Sequence, residues 1–241
     1  MNRMRELVAV TVTAGLVLGS VVRVQAYDGV EVKDGGTITG TVKFAGTPPA
    51  RKEVPVTKDK EVCAKEKHLS SDLIVGPNKG IENAVVSLVD IKKGKKWGTA
   101  KATLDQSGCV YKPHVVVMPA GGTLDILNSD GILHNIHTYS SKNPSINKAQ
   151  PKFKKVLTEK FAKPETIKVT CDAHNWMMSW LVVSEHPYVA VTDGKGEFTL
   201  KDVPPGSYKL EIWQETLGKT VKDVTVKAKE ETKVSVELAK K

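Results

Sequence analysis

Short alternating runs of hydrophobic and polar residues follow one another along most of the chain after residue 26. Alternation with a period of two is typical of strands that bury one face, and the runs are separated by glycine, proline and aspartate, as at turns. No long stretch has the periodicity of an amphipathic helix. The polar, proline-containing segment 140–155 is predicted to be irregular, and a short helix is expected only there. The pattern therefore predicts an all-β protein. The predicted strands include 37–44, 84–89, 115–118, 123–127 and 166–170.

The first 26 residues have a different pattern. A basic start precedes the apolar run 7–22, and Val24-Gln-Ala26 ends with the small residue typical of a cleavage site. This predicts a signal peptide at 1–26, with an uncleaved membrane anchor as the alternative. Cleavage removes three arginines and one glutamate, which lowers the formal net charge from +9 to +7. We expect a basic protein that is periplasmic or secreted, with no integral membrane span after cleavage.

The motif that carries the most chemistry is Cys171-Asp-Ala-His174-Asn-Trp-Met177, which directly follows a predicted strand. It presents a thiolate, an imidazole and a thioether on one short loop, and alternation along the strand turns Cys171 toward the interior. A second imidazole, His134, lies upstream in another strand-like run. Two histidines and a cysteine with a weak axial methionine form the donor set of a blue copper site, which exchanges single electrons. These residues therefore favour copper.

Three alternatives concern this donor set. Zinc is the competing metal, but structural zinc sites often contain Cys-x2-Cys pairs, and the sequence has none. Met178 is the alternative to Met177 as the axial donor. His137 is a weaker candidate than His134, because the odd spacing places them on opposite faces of a regular strand.

These motifs resemble those of the cupredoxins, the family of plastocyanin, pseudoazurin and amicyanin. The run from Asn128 to Asn135 matches their Asn-x5-His-Asn motif, and Cys-x2-His-x2-Met is similar to the amicyanin ligand loop. The resemblance covers about 101–187 and implies a Greek-key β-sandwich with one type 1 copper ion. It also implies that Asn135 ties the two ligand strands together and that the loop histidine lies nearest the surface, where electrons enter and leave. The implied copper ligands are His134, Cys171, His174 and Met177.

Three cysteines leave one unpaired after any single disulfide. Cys63 and Cys109 lie outside the copper motif and are the predicted pair, which leaves Cys171 free as a thiolate. On the chain-entropy account, this cross-link stabilises the fold by about 4 kcal/mol. A disulfide from Cys171 to either of the others is the alternative, and it would abolish the site.

The last third of the chain resembles a second family, the carboxypeptidase regulatory-like domain, which is a transthyretin-like β-sandwich. The resemblance rests on the turn Thr192-Asp-Gly-Lys-Gly-Glu-Phe198 and on Val203-Pro-Pro-Gly-Ser-Tyr208. Strands typical of the start of that domain occur far upstream, at 36–42 and 83–86. The family implies a structural or interaction role without peptidase activity.

This spacing predicts a discontinuous domain organisation. Residues 27–100 plus 188–241 form the regulatory-like sandwich, and the cupredoxin-like unit 101–187 is inserted in it at an exposed loop. Two consecutive domains, 27–187 and 188–241, are the alternative.

The predicted function is single-electron transfer by an exported protein with one mononuclear copper site. No enzyme activity is expected, because the sequence shows no paired carboxylates and no nucleophile beside a base. A copper-binding or copper-delivery protein without redox turnover and a metal-free β-sandwich binding module are the alternatives. The basic surface favours an acidic redox partner, such as a cytochrome or a dehydrogenase. Nucleic acid is not expected, because the lysines are scattered.

Overall fold

A computed structural model describes residues 27–240 of the protein. The predicted signal peptide at 1–26 lies outside the described residues. Within 27–240, no helix is both long and apolar enough to span a membrane.

Strands account for nearly all of the regular structure, so the predicted all-β class is confirmed. Helical structure in the described residues is limited to α1 (Lys60–Cys63) and a 3-10 turn at Pro77–Lys79. The strands are β1 (Asp28–Gly29), β2 (Gly36–Phe44), β3 (Ile74–Val75), β4 (Ile81–Glu82), β5 (Val85–Val89), β6 (Lys93–Gly94), β7 (Lys101–Gln106), β8 (Tyr111–Lys112), β9 (Val115–Pro119), β10 (Thr123–Asn128), β11 (His134–Tyr139), β12 (Asn147–Gln150), β13 (Val156–Lys160), β14 (Glu165–Thr170), β15 (Met178–Ser184), β16 (Val189–Val191), β17 (Glu197–Val203), β18 (Gly206–Gln214), β19 (Gly218–Val226) and β20 (Glu231–Leu238).

The strands from β7 to β15 form one sandwich. One sheet has the order β12-β11-β14-β15-β9, and the other has the order β13-β10-β7-β8. Leu104 and Ile126 of the second sheet and Ile136, Ile167 and Leu181 of the first are fully buried in one common core. The alternation read from the sequence produces this core, because each strand turns its apolar residues to the same side.

The other sandwich combines strands that precede β7 with strands that follow β15. Its sheets have the orders β16-β5-β18-β19 and β17-β2-β20. Strand β2 pairs in parallel with β20 at the end of the described chain, and β5 lies between β16 and β18. Ile38, Val86, Leu200 and Ile212 are among the buried residues of its separate core.

The segment 140–155 differs from the prediction. It contains a strand, β12, which pairs with β11 in antiparallel orientation, and the short helix α1 lies elsewhere, at Lys60–Cys63. Strand β12 is the edge of its sheet, and three of its four residues are exposed. A polar edge strand is held by backbone hydrogen bonds and needs no apolar alternation, so the hydrophobic pattern did not reveal it.

Candidate metal centre

Cys171 directly follows β14 and points into the core, as alternation along this strand predicted. Ile167 and Val169 are fully buried, Lys168 between them is exposed, and the Cys171 side chain is 1% exposed. Cys171 has a free thiol. The sulfur therefore lies in an apolar interior.

The loop from Cys171 to Met177 is closed by its own backbone. The Cys171 N–H donates to the carbonyl oxygen of Met177, and the Met177 N–H donates to that of His174, at 3.3 and 2.9 Å. His174 is 0% exposed and Met177 is 1% exposed, in the same core as Cys171. Met178 begins β15 and is partly exposed, so Met177 is the buried methionine of the two.

His134 approaches this loop from the start of β11 and is 0% exposed. Its Nδ1 lies 3.1 Å from the Nδ1 of His174, and the Sγ of Cys171 lies 3.8 Å from the same His174 atom. One potential ligand atom from each of the three residues lies within 4.8 Å of the other two. The structure thus brings together three of the predicted donors, with Met177 buried in the same core.

The donor spacing fits a trigonal metal ion. Bonds of about 2.0 Å to nitrogen and about 2.3 Å to sulfur place the donors of a trigonal plane about 3.5–3.8 Å apart. The observed distances, 3.1 Å between the two Nδ1 atoms and 3.8 Å from Sγ to the Nδ1 of His174, are close to these values. A small shift of one imidazole would bring the donors to the spacing of a trigonal plane. A thiolate, two imidazoles and a thioether are together typical of copper.

Both imidazoles use their other nitrogen to bind a carboxylate. The Nε2 of His134 lies 2.8 Å from Oδ2 of Asp130, and the Nε2 of His174 lies 2.8 Å from Oδ2 of Asp59. If each Nε2–H donates to its carboxylate, both Nδ1 atoms are left free as acceptors. Carboxylate–histidine pairs of this kind fix the tautomer and the ring orientation of metal ligands.

The expectation that His174 is the histidine nearest the surface stays a prediction, but its ring does not itself reach the solvent. Its side chain is 0% exposed, and Asp59, immediately before α1, covers its outer nitrogen. The disulfide between Cys63 and Cys109 anchors α1 to the sandwich, and the predicted pairing is confirmed. The segment that carries Asp59 is an addition to the sandwich, so the family resemblance gave no reason to expect it over the histidine.

The pKa values of the two imidazoles are shifted in opposite directions. Burial lowers the pKa of His134, but hydrogen bonds with Asp130 and Cys171 outweigh it and raise this pKa to about 9. Burial lowers the pKa of His174, and Asp59 opposes this only in part. The two facing imidazoles therefore favour one shared proton and its single positive charge. A bound cation would replace that proton.

Further contacts join the two ligand strands. The Asn135 side chain accepts a hydrogen bond from the Asp172 N–H at 3.2 Å, as expected for a residue that ties the strands together. The Tyr111 hydroxyl lies 2.6 Å from the carbonyl oxygen of Asn135 and 3.0 Å from that of Thr170. His137 faces away from the centre and bonds Asp172 at 3.0 Å.

Sequence reasoning missed three residues of this centre. Asp130 lies four positions before His134, inside the Asn-x5-His-Asn motif, so its place beside that histidine could have been proposed from the motif. Asp59 is separated from His174 by 115 residues, and no local pattern links them. Tyr111 reads as an ordinary core aromatic and has no distinguishing signal.

Comparisons with known proteins identify similarities for separate parts of the chain. The family model of the carboxypeptidase regulatory-like domain matches residues 181–239. None of the curated proteins matches the sequence.

Several solved structures are similar to part of the chain. A Cu-containing nitrite reductase from Thermus scotoductus SA-01 is 21% identical, with a TM-score of 0.31, over 37% of this chain and 24% of that protein. A purple cupredoxin from Nitrosopumilus maritimus is 21% identical, with a TM-score of 0.30, over 34% of this chain and 99% of that protein. A mutant of amicyanin in the reduced Cu(I) form is 17% identical, with a TM-score of 0.32, over 37% of this chain and 87% of that protein.

The chain spans about a quarter of the length of the nitrite reductase that it matches, namely 24%. Residues 181–239 thus match the family model of the carboxypeptidase regulatory-like domain, and part of the chain is similar to solved cupredoxins.

Proposed function

We propose that this chain is an exported electron-transfer protein with one type 1 copper ion, held by His134, Cys171, His174 and Met177. The observation that carries the proposal is the convergence of two Nδ1 atoms and one free thiol in the interior, with Met177 buried in the same core as Cys171. Copper bound there would exchange between its +1 and +2 states.

The protein's own residues prepare the site for such an exchange. The ligand loop is closed by backbone hydrogen bonds, Asp130 and Asp59 hold the imidazoles, and Tyr111 lies between the strands that carry His134 and Cys171. Donors that are fixed in this way move little when the charge of a bound ion changes. Burial of the Cys171 sulfur keeps water and oxidants from it. Together these features favour electron exchange with little rearrangement.

The proposal includes the surroundings of the site. No open ligand position and no catalytic group is assigned to it, so we infer a carrier and not an enzyme. The disulfide supports an oxidising location, the periplasm or the exterior. The sheets that combine β2 and β5 with β16–β20 support the discontinuous layout of 27–100 plus 188–241 around 101–187.

The visible spectrum of the protein 27–241 with one equivalent of Cu(II) tests the proposal. We expect an intense band at roughly 600 nm, where thiolate-to-copper transitions of His2Cys sites fall, and its loss in Cys171→Ser. His137→Gln is the matched control, because His137 is nearby but faces away from the donors. A band that survives in Cys171→Ser, or no band at all in the parent protein, would overturn the proposal.

A copper-binding or delivery protein without redox turnover is the second candidate. The complete burial of both histidines favours tight retention of copper over rapid electron exchange, because neither imidazole is exposed to a redox partner. Cyclic voltammetry and the self-exchange rate separate the two functions. A reversible couple with fast self-exchange supports electron transfer, whereas stoichiometric copper without a reversible couple supports copper handling.

A further inference from the structure

Because Asp59 covers His174, we consider electron exchange at another face of the molecule. Asp59 occupies the outer nitrogen of His174, so a partner cannot contact that ring directly. His134 is equally buried, but Leu133, its neighbour in sequence, is 48% exposed. The surface beside His134 is therefore the candidate docking site.

Three large hydrophobic residues are exposed on this side of the sandwich. Phe153 is 79% exposed, Leu133 is 48% exposed and Val156 is 43% exposed. Phe153 lies in the turn that joins β12, an edge of one sheet, to β13, an edge of the other. An exposed phenyl ring accompanied by two other exposed apolar side chains is typical of an interaction site.

Hydrogen bonds from the side chain and the backbone of Asn128 hold together the segments that carry these three residues. Its amide nitrogen donates to the carbonyl oxygens of Ile132 and Gln150, at 2.8 and 3.0 Å. Its backbone N–H donates to the carbonyl oxygen of Lys155 at 3.0 Å. The segments that carry Leu133, Phe153 and Val156 therefore converge at one buried asparagine.

A short route joins this place to the metal centre. His134 is the direct partner of Gln150 in the β11–β12 ladder, and Phe153 lies three residues beyond Gln150. The buried Gln150 side chain donates to the carbonyl oxygen of Lys154 at 3.0 Å, which fixes the turn against the sandwich. One ladder crossing and three residues of main chain thus join His134 to Phe153.

Positive charge surrounds the apolar residues. Lys152, Lys154 and Lys155 are exposed, and none of them takes part in a salt bridge within residues 27–240. Lys148 on the neighbouring strand differs, because Glu159 pairs with it at 2.5 Å. Three unpaired lysines around an exposed phenylalanine complement a partner with a carboxylate-rich surface.

We propose that the Phe153 surface, defined as Leu133, Phe153, Val156, Lys152, Lys154 and Lys155, docks an acidic electron-transfer protein. The proposal rests on the function proposed above. It places electron exchange beside the upstream histidine of the centre, because His134 pairs with Gln150 on the strand that leads into the Phe153 turn.

Two forms of cytochrome c serve as the probe: the native basic protein, and the same protein with succinylated lysines, which has an acidic surface. One electron passes from the reduced, copper-loaded protein to the ferric haem, which becomes ferrous. Stopped-flow absorbance gives the rate. At an ionic strength of about 0.01 M, we expect the succinylated form to react about tenfold faster or more, with a smaller advantage at about 0.15 M.

Charge reversal tests the lysines. The variant Lys152→Glu/Lys154→Glu/Lys155→Glu should abolish the advantage of the succinylated form. The control Lys227→Glu/Lys229→Glu/Lys233→Glu changes the net charge equally on the other sandwich, and it should retain most of the advantage. An equal loss in both triple variants would assign the effect to net charge and overturn the proposal.

Removal of the phenyl ring tests the apolar contact. We expect Phe153→Ala to slow the reaction with the succinylated form about tenfold at both ionic strengths, as for an interface hot spot. Val221→Ala is the control, because Val221 is also exposed, at 47%, but lies on the other sandwich. Equal rates for the two variants would remove Phe153 from the docking site.

Binding to the metal-free protein separates this proposal from the proposed function. We expect isothermal titration with succinylated cytochrome c at low ionic strength to detect binding, which the Lys152/Lys154/Lys155 reversal abolishes. If the copper couple is reversible but this binding is absent, the docking proposal alone fails. If binding is present without a reversible couple, electron transfer alone fails. Binding of these residues to phosphatidylglycerol vesicles, without binding to the cytochrome, would assign the surface to a membrane.

Discussion

Each imidazole of the candidate centre is held between the donor cluster and a carboxylate. Asp130 is 8% exposed and also accepts the N–H groups of Gly108 and Cys109, whereas Asp59 is 31% exposed and comes from a distant segment. A carboxylate that accepts the imidazole N–H increases the electron density on the other nitrogen. The more highly charged ion benefits most, so both aspartates would favour Cu(II) over Cu(I) in the proposed copper site.

Asp59→Asn tests this effect for a single residue. An asparagine tolerates the left-handed backbone of this position, where φ is 49°, and keeps a carbonyl acceptor, but it removes the negative charge. We expect Cu(II) to bind about tenfold more weakly. With Cu(I) binding unchanged, the midpoint potential rises by about 60 mV.

Chelator competition and voltammetry measure the two quantities. Glu61→Gln is the control for Asp59→Asn, because it removes the same charge from an exposed residue two positions away. An unchanged potential in Asp59→Asn, or an equal rise in both variants, would contradict a specific role for Asp59.

Among the loops, the connection from β11 to β12 is held by one carboxylate. Glu165 at the start of β14 accepts hydrogen bonds from Ser140, Ser141, Lys142 and Asn143. Burial raises the pKa of Glu165, but these hydrogen bonds outweigh it and hold the pKa well below its usual range. The charged carboxylate therefore stabilises the fold.

Glu165→Gln should lower the free energy of unfolding by about 1–3 kcal/mol at neutral pH. Because the folded-state pKa is depressed, the stabilisation is complete above the unfolded pKa of about 4.3 and is lost as the pH falls below it. Urea unfolding should therefore show a smaller difference between the variant and the parent at about pH 3. Glu66→Gln, in an exposed loop, is the control. A difference that does not shrink in acid would exclude the charged carboxylate as its cause.

The helix α1 depends on its cross-link. Cys63 and Cys109 are separated by 46 residues, and the loop between them includes β5 of the other sandwich. We expect Cys63→Ala/Cys109→Ala to lose about 4 kcal/mol of unfolding free energy, as the chain-entropy account gives. Guanidinium unfolding measures the loss, and the reduced parent protein, with the same cross-link absent, is the control. A double variant as stable as the oxidised parent would show that packing alone holds α1.

The sequence predicted these elements to different degrees. Strands such as β10 and β14 were predicted because their alternation is local and one face is buried. Strand β12 was missed because backbone pairing with β11 holds it, and α1 was misplaced because a four-residue helix has no periodicity. The grouping of Cys171 with His174 follows from a contiguous motif. Asp59 could not be found, because only the folded chain brings it to His174.

At the scale of the whole molecule, the two sandwiches meet through a mixed apolar and polar junction. Val85, Val115 and Val182 form a third buried cluster there. Trp180 of β15 packs edge-on against Trp213 of β18, with ring centroids 4.9 Å apart. Coupling between the sandwiches would hold β15, which follows the ligand loop, against the sheet that contains β18.

Glu215 is the polar centre of this junction. It follows β18 and bonds both His114, at 2.5 Å, and the indole N–H of Trp180, at 2.8 Å. Its side chain is 8% exposed and that of His114 is 11% exposed, so removal of the carboxylate leaves two poorly solvated groups without their partner. That loss costs about 1–3 kcal/mol.

Removal of Glu215 weakens the junction and not either core, because His114 and Trp180 belong to one sandwich and Glu215 to the other. We therefore expect the parent protein to unfold as one cooperative unit in urea. In Glu215→Ala/Trp213→Ala, the sandwich of β7–β15 should unfold at a different urea concentration from the sandwich of β2, β5 and β16–β20. Hydrogen exchange followed by mass spectrometry reports the two sets of strands separately.

Glu211→Ala is the control, because Glu211 lies on β18 but pairs with the exposed Lys219. Separate transitions already in the parent would mean that the contacts around Glu215 and Trp213 do not couple the sandwiches, and that each core is stable by itself.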